Sequence, residues 1–186
     1  GSNAVIELHP YTLAYMHKIA KLFSPSIPLM QSAAYFPILF MLIGIITIFF
    51  IGKSITGELG GFITATLFSL NYLAFTKTSW GMSDTDAYNI SLPLLFLFFF
   101  IKTLNSKETK KIWANTIITS IILGIYAFAW SGWWFLIHIS LGAVILCFIN
   151  LARQRYKNSN KEAVNDLKRI TKIIALLIII TSTVLT

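Results

Sequence analysis

Five stretches of this sequence, near residues 32–51, 59–76, 87–104, 113–129 and 133–151, stay apolar for about the length a helix needs to cross a bilayer. Roughly 20 helical residues, at about 1.5 Å each, traverse a hydrocarbon core about 30 Å thick. A sixth run starts at Ile173 and stops at Thr186, and fourteen helical residues reach only about 21 Å. The expected fold is therefore all-α, a multi-pass transmembrane bundle of five full spans and a truncated sixth. Composition agrees: 56% of residues are hydrophobic and 12% charged, half the charged share of an ordinary soluble domain.

The net charge of +8 would point to nucleic acid in a soluble protein. Here the basic residues gather between apolar runs, which is how cytoplasmic loops of membrane proteins are marked. Lys53 lies in loop 52–58; Lys102, Lys107, Lys110 and Lys111 lie in 102–112; seven more Lys/Arg lie in 152–172. These three loops share one face and should be cytoplasmic. The run 153–172 reads as a cytoplasmic linker without catalysis. Lys77, Lys18 and Lys21 lie on the other face, together with the tight turn Trp130-Ser131-Gly132. The single Cys147 lies in an apolar run and offers neither a disulfide framework nor a cysteine metal site.

The first four residues, GSNA, read as an expression scar, and no cleavable signal precedes residue 5. Residues 5–31 are expected to form an external amphipathic segment, with 32–186 as a transmembrane domain truncated at its C-terminus. Within 10–23, Leu13, Met16, Ala20 and Phe23 fall on one helical face, with Lys18 and Lys21 largely off it. That pattern predicts a helix lying on the outer membrane surface. Pro37 and Pro93 fall inside predicted spans, where neighbours must satisfy the freed carbonyls. Asn71, Asn115 and His138 are expected to hydrogen-bond between helices.

Against this background Gly81-Met82-Ser83-Asp84-Thr85-Asp86 stands out, because it holds two of only three aspartates in the chain. One reading is helix capping, with Ser83 as N-cap and acids in the first turn of the 87–104 helix. That accounts for one aspartate better than for two, since charge at a membrane margin is costly and usually functional. The other reading is a metal site. Side chains two apart on an extended or turning backbone point the same way, and hard oxygens select Mg²⁺ or Mn²⁺. Lys77 either snorkels or offsets phosphate charge.

The run Thr78-Ser79-Trp80-Gly81-Met82-Ser83-Asp84-Thr85-Asp86, followed by Pro93 in the next helix, resembles the second external loop of the oligosaccharyltransferase catalytic subunit family. The aromatic turn from Ala127 to Phe135, with its WSGWW core, resembles that family too. The resemblance implies a GT-C-type membrane glycosyltransferase of protein N-glycosylation. It would move an oligosaccharide from a polyprenyl (pyro)phosphate carrier to the Asn nitrogen of an Asn-x-Ser/Thr acceptor polypeptide. It implies Mn²⁺ or Mg²⁺ as cofactor, Asp84 as a direct ligand, and Asp86 as a ligand or as a partner orienting it. Lys77 stands where relatives often carry a basic residue.

The family's first external aspartate, later external glutamate and sequon-reading C-terminal domain do not fall within this sequence. The expectation is half a metal site and no activity in isolation, the rest of the chain being needed. The DxD loop would face the extracytoplasmic side of a cell membrane or an ER-type membrane.

Tyr126, Trp130, Trp133 and Trp134 read either as an aromatic belt at the headgroups or as the lining of a groove for the lipid carrier or its first sugar. Gly52-Lys53-Ser54 is no phosphate loop, because the pattern requires glycine at Thr47 and the segment leaves a membrane helix instead of a strand. His9 and His17 read as ordinary interfacial residues, and Asn89-Ile90-Ser91 as a sequon out of reach at the membrane margin. The competing functions are another polyprenyl-phosphate-sugar transferase such as a mannosyltransferase, a cation transporter using the two aspartates, or a structural membrane module.

Overall fold

The computed structural model describes residues 8–158, together with 171 and 175. Most of the basic stretch 153–172 and the expected sixth span lie outside the described residues. Every regular element among the described residues is a helix: α1 (Leu8–Phe23), α2 (Leu29–Ala34), α3 (Phe36–Ser69), α4 (Tyr72–Lys77), α5 (Asp86–Asn105), α6 (Thr109–Ala129) and α7 (Trp134–Asn158). Among the described residues, three segments are long and apolar enough to cross a membrane: Leu29–Ser69, Asp86–Asn105 and Thr109–Ala129. The apolar part of α7, Trp134–Asn150, is shorter. The chain divides into two compact units, Gly1–Phe98 with Phe128–Trp130, and Phe99–Ala127 with Ser131–Thr186.

In the first unit, α3 runs for 34 residues but is not straight. A straight helix would hold residues 44 and 68 about 36 Å apart. Instead, a Cβ placed on Gly44 would lie 3.1 Å from the Phe68 ring. Phe49 meets Phe62 edge-on at 5.2 Å, and the Thr64 hydroxyl donates to the Ile48 carbonyl at 3.3 Å. The element is thus an antiparallel hairpin that reverses at Gly57 (φ 82°, ψ −169°), a conformation essentially confined to glycine. Close approach of the arms depends on small residues. A Cβ on Gly52 would lie 2.8 Å from the Gly60 carbonyl, and one on Gly61 would lie 2.9 Å from that of Phe49. Lys53 and Glu58 pair at 2.8 Å beside the reversal.

The predicted loop 52–58 shrinks in this way to one non-helical residue, because its polar side chains all fit helical backbone. Pro37 also differs from expectation: the chain breaks at Tyr35, and Pro37 occupies the first turn of α3, where its missing N–H does no harm. Among the described residues Asn71 bonds no other helix; its side chain caps α4 by accepting from the Ala74 amide at 3.1 Å.

An aromatic cluster joins α3 to α5. Phe36 and Phe40 lie 5.0 and 4.9 Å from the buried Tyr88 ring, and the Ser91 hydroxyl donates to the Phe40 carbonyl. On α1, Leu13, Met16 and Ala20 are half-buried on the side that carries His17. The His17 Nδ1 lies 2.9 Å from the Ser32 hydroxyl of α2, which itself donates to the Leu29 carbonyl. The exposed stripe is a different one, Tyr11, Tyr15, Ile19 and Leu22, with Phe23 also exposed.

In the second unit, α6 buries Thr116, Thr119, Ser120, Leu123 and Tyr126. Its threonines donate to their own helix, Thr116 to Ile112 at 2.8 Å and Thr119 to Asn115 at 2.7 Å. The two threonine hydroxyls are thereby satisfied without a helix-to-helix bond, whereas that of Ser120 is buried without a partner, and small side chains let helices approach. His138 likewise turns to its own helix, with Nδ1 2.8 Å from the Trp134 carbonyl. Asn115 reaches beyond its helix, but to the loop between α5 and α6 and not to another helix, donating to Ser106 at 3.4 Å.

Candidate functional site: the acidic loop between α4 and α5

The loop begins where α4 ends at Lys77 and finishes where α5 begins at Asp86. It is held by short-range bonds: Met82 N to the Ser79 carbonyl at 3.1 Å, Asp84 N to that of Met82 at 2.9 Å, and Tyr88 N to that of Thr85 at 3.0 Å. Gly81 supplies the left-handed residue the turn requires (φ 84°), with open space around its Cβ position.

Two consequences follow for the charged side chains. The loop returns Asp86 to Lys77, so that Nζ lies 2.6 Å from Asp86 Oδ2. That hydrogen bond and the charge of Asp86, with a smaller contribution from Asp84, hold the Lys77 ammonium above the usual lysine range. Lys77 is half exposed and Asp86 a third. Asp84 is exposed, and its Oδ1 accepts from the Thr85 amide at 2.6 Å and the Thr85 hydroxyl at 3.2 Å.

Each carboxylate therefore keeps one oxygen outside these bonds, Oδ2 of Asp84 and Oδ1 of Asp86. A hard divalent cation takes six or more oxygens, so the pair fits two ligands of such an ion and no more. Among the described residues, no group of three or more His, Cys, Asp or Glu side chains gathers to complete the set. The capping reading of Ser83 fails, because its hydroxyl is buried without a partner. What caps and braces the loop is the Asp84–Thr85 contact and the Lys77–Asp86 pair.

At the root of the loop sits a residue that sequence reasoning set aside. His9 Nε2 lies 3.3 Å from the Ser83 carbonyl. Its ring meets Phe36 at 4.9 Å and Tyr88 at 5.8 Å, edge-on to both. His9 Nδ1 is buried without a hydrogen bond. Seventy-four residues separate His9 from Ser83, so no spacing in the sequence signals the contact. On the other side of the loop, Trp80 packs edge-on against Tyr35 at 4.5 Å.

Of the candidate residues, then, the structure brings Lys77 and Asp86 together with Asp84 on the same loop. Trp130 is exposed. Tyr126, Trp133 and Trp134 belong to the second unit, where Tyr126 is buried, Trp133 half-buried, and Trp134 exposed and edge-on to His138 at 5.4 Å.

Helices apolar enough to cross a bilayer, and a lysine-braced acidic loop at the start of one of them, define a helical membrane protein with a polar site. A family model described as oligosaccharyl transferase STT3, N-terminal, matches residues 8–185, and the chain belongs to that family. It is 29% identical over 150 residues to the dolichyl-phosphooligosaccharide-protein glycotransferase of Methanococcus voltae. That match covers 78% of this chain and 16% of the relative's length. No solved structure matches the chain significantly.

Proposed function

We propose that this chain is the N-terminal membrane part of an oligosaccharyltransferase catalytic subunit. The reaction moves a glycan from a polyprenyl (pyro)phosphate carrier to the side-chain nitrogen of asparagine in Asn-x-Ser/Thr. The bond from the anomeric carbon to phosphate oxygen breaks, a bond to nitrogen forms, and the nitrogen gives up a proton. The observation that carries this reading is the acidic loop: two carboxylates with one uncommitted oxygen each, beside an ammonium, in a chain of this family.

Asp84 and Asp86 would hold a divalent cation, Mn²⁺ or Mg²⁺, which would supply Lewis-acid stabilisation of the leaving phosphate. Lys77 contributes a point charge toward the same phosphate, without the bidentate grip of an arginine. Trp130, Trp133, Trp134 and Tyr126 are proposed to border the lipid carrier. The spans are proposed to number five, counting the two arms of the α3 hairpin, with a sixth from Ile173. In this topology the acidic loop and the 130–133 turn lie on the extracytoplasmic side, and the Lys/Arg-rich loops on the cytoplasmic side. Residues 5–31 form the external segment and 32–186 the transmembrane domain.

The test uses the longer chain characteristic of the family. Asp84→Ala is expected to lower glycopeptide formation by about 100-fold or more, at least the loss seen when only supporting residues of a metal site are removed. Unchanged yield removes Asp84 from the mechanism and overturns the proposal.

A further inference from the structure

We infer that His9 is a positioning residue for the acidic loop, its Nε2–H tying down the Ser83 carbonyl and thereby fixing Asp84, the next residue. The inference rests on the function proposed above and adds a residue to it. A carbonyl only accepts, so the ring nitrogen 3.3 Å from it must carry the hydrogen. The other hydrogen bonds made by residues 79–85 reach partners within a few positions along the chain. The bond from His9 crosses 74 positions and anchors the loop to α1.

Packing holds the donor in place. Phe36 and Tyr88 meet the imidazole edge-on, at 73° and 88°, so the ring cannot swing without displacing both. Packing alone, however, does not call for histidine. Phenylalanine would fill the same slot without burying a bare nitrogen, and Nδ1 here is buried with no partner. The Nε2 bond is the feature that only a donor-bearing ring supplies. Its target is the peptide that leads directly into the proposed metal ligand.

The experiment measures Mn²⁺ binding to the longer chain directly, by loss of the free-ion EPR signal, beside the Mn²⁺ dependence of its glycopeptide formation and its acceptor KM. His9→Phe keeps the wedge and removes the donor; His9→Gln restores an N–H near the position of Nε2. His9→Phe is expected to raise the half-saturating Mn²⁺ concentration by about 10-fold, the scale of losing a residue that orients a ligand. Acceptor KM stays unchanged, and His9→Gln recovers most of the shift. If His9→Phe keeps the wild-type Mn²⁺ dependence, the inference is overturned, even where its yield or thermal stability falls, because the role is then packing alone. If Asp84→Ala also keeps the wild-type Mn²⁺ dependence in this assay, it is the proposed metal function that fails.

Discussion

Lys77 and Asp86 show how one turn of chain sets charge. Neither group is buried enough for a strong ion pair, and exposed pairs contribute little to stability. What the pair does is local, closing the loop so that Asp84 stands beside it. Because Lys77 is raised by its bond to Asp86 and by that charge, the bracing is fully present below the ordinary lysine value of about 10.4 and is lost as pH climbs through the raised value. Hydrogen exchange of the amides at 79–85 is therefore expected to keep constant protection between about pH 6 and 9, after correction for intrinsic rates, and to lose it in alkali. Lys77→Met should show weaker protection with no alkaline step. Lys77→Arg should keep the bracing, since guanidinium also donates to a carboxylate. An alkaline step of equal size in Lys77→Met would show that Lys77 does not brace the loop.

The α3 hairpin carries the clearest lesson at the scale of the element. Its two arms were legible in the sequence as separate apolar runs, because hydropathy survives any local geometry. The one-residue reversal was not. Lys53, Ser54, Thr56 and Glu58 look like a solvated loop, yet all continue the helix, and only the positive φ of Gly57 marks the turn. The acidic loop divides in the same way. The doublet and its lysine could be read from residue type, whereas the contact of His9 with Ser83 and the failure of Ser83 as a cap depend on tertiary packing. Gly57→Ala has open space for its methyl, so its penalty is backbone strain alone, about 1–3 kcal/mol. Gly52→Ala instead pushes a methyl against the backbone of the facing arm, an overpacking loss of about 1–3 kcal/mol. Thermal unfolding in detergent is expected to fall for both, and Gly57→Asn should fare no better than Gly57→Ala, since this φ/ψ region is essentially closed to any side chain.

For the whole molecule, the distribution of exposed apolar side chains matters more than any single contact. Leu39, Leu42, Ile46 and Phe50 line one arm of α3, and Leu67 the other, all exposed. Such a surface is the ordinary exterior of a chain dissolved in lipid, and in water it would aggregate. The proposed topology predicts opposite labelling of the two ends of α5. In a Cys147→Ser background, Thr85→Cys should react with an impermeant maleimide from the extracytoplasmic side, and Ser106→Cys only after the membrane is opened. Equal labelling of both from one side would overturn the assignment.

A hinge one residue long also constrains how such a chain is made. With no slack at Gly57, neither arm of the hairpin can settle in a bilayer while the other waits in water. In the proposed topology the two therefore lie in the bilayer as one pair, whose tip stays on the cytoplasmic side with Lys53 and Glu58 neutralised by each other.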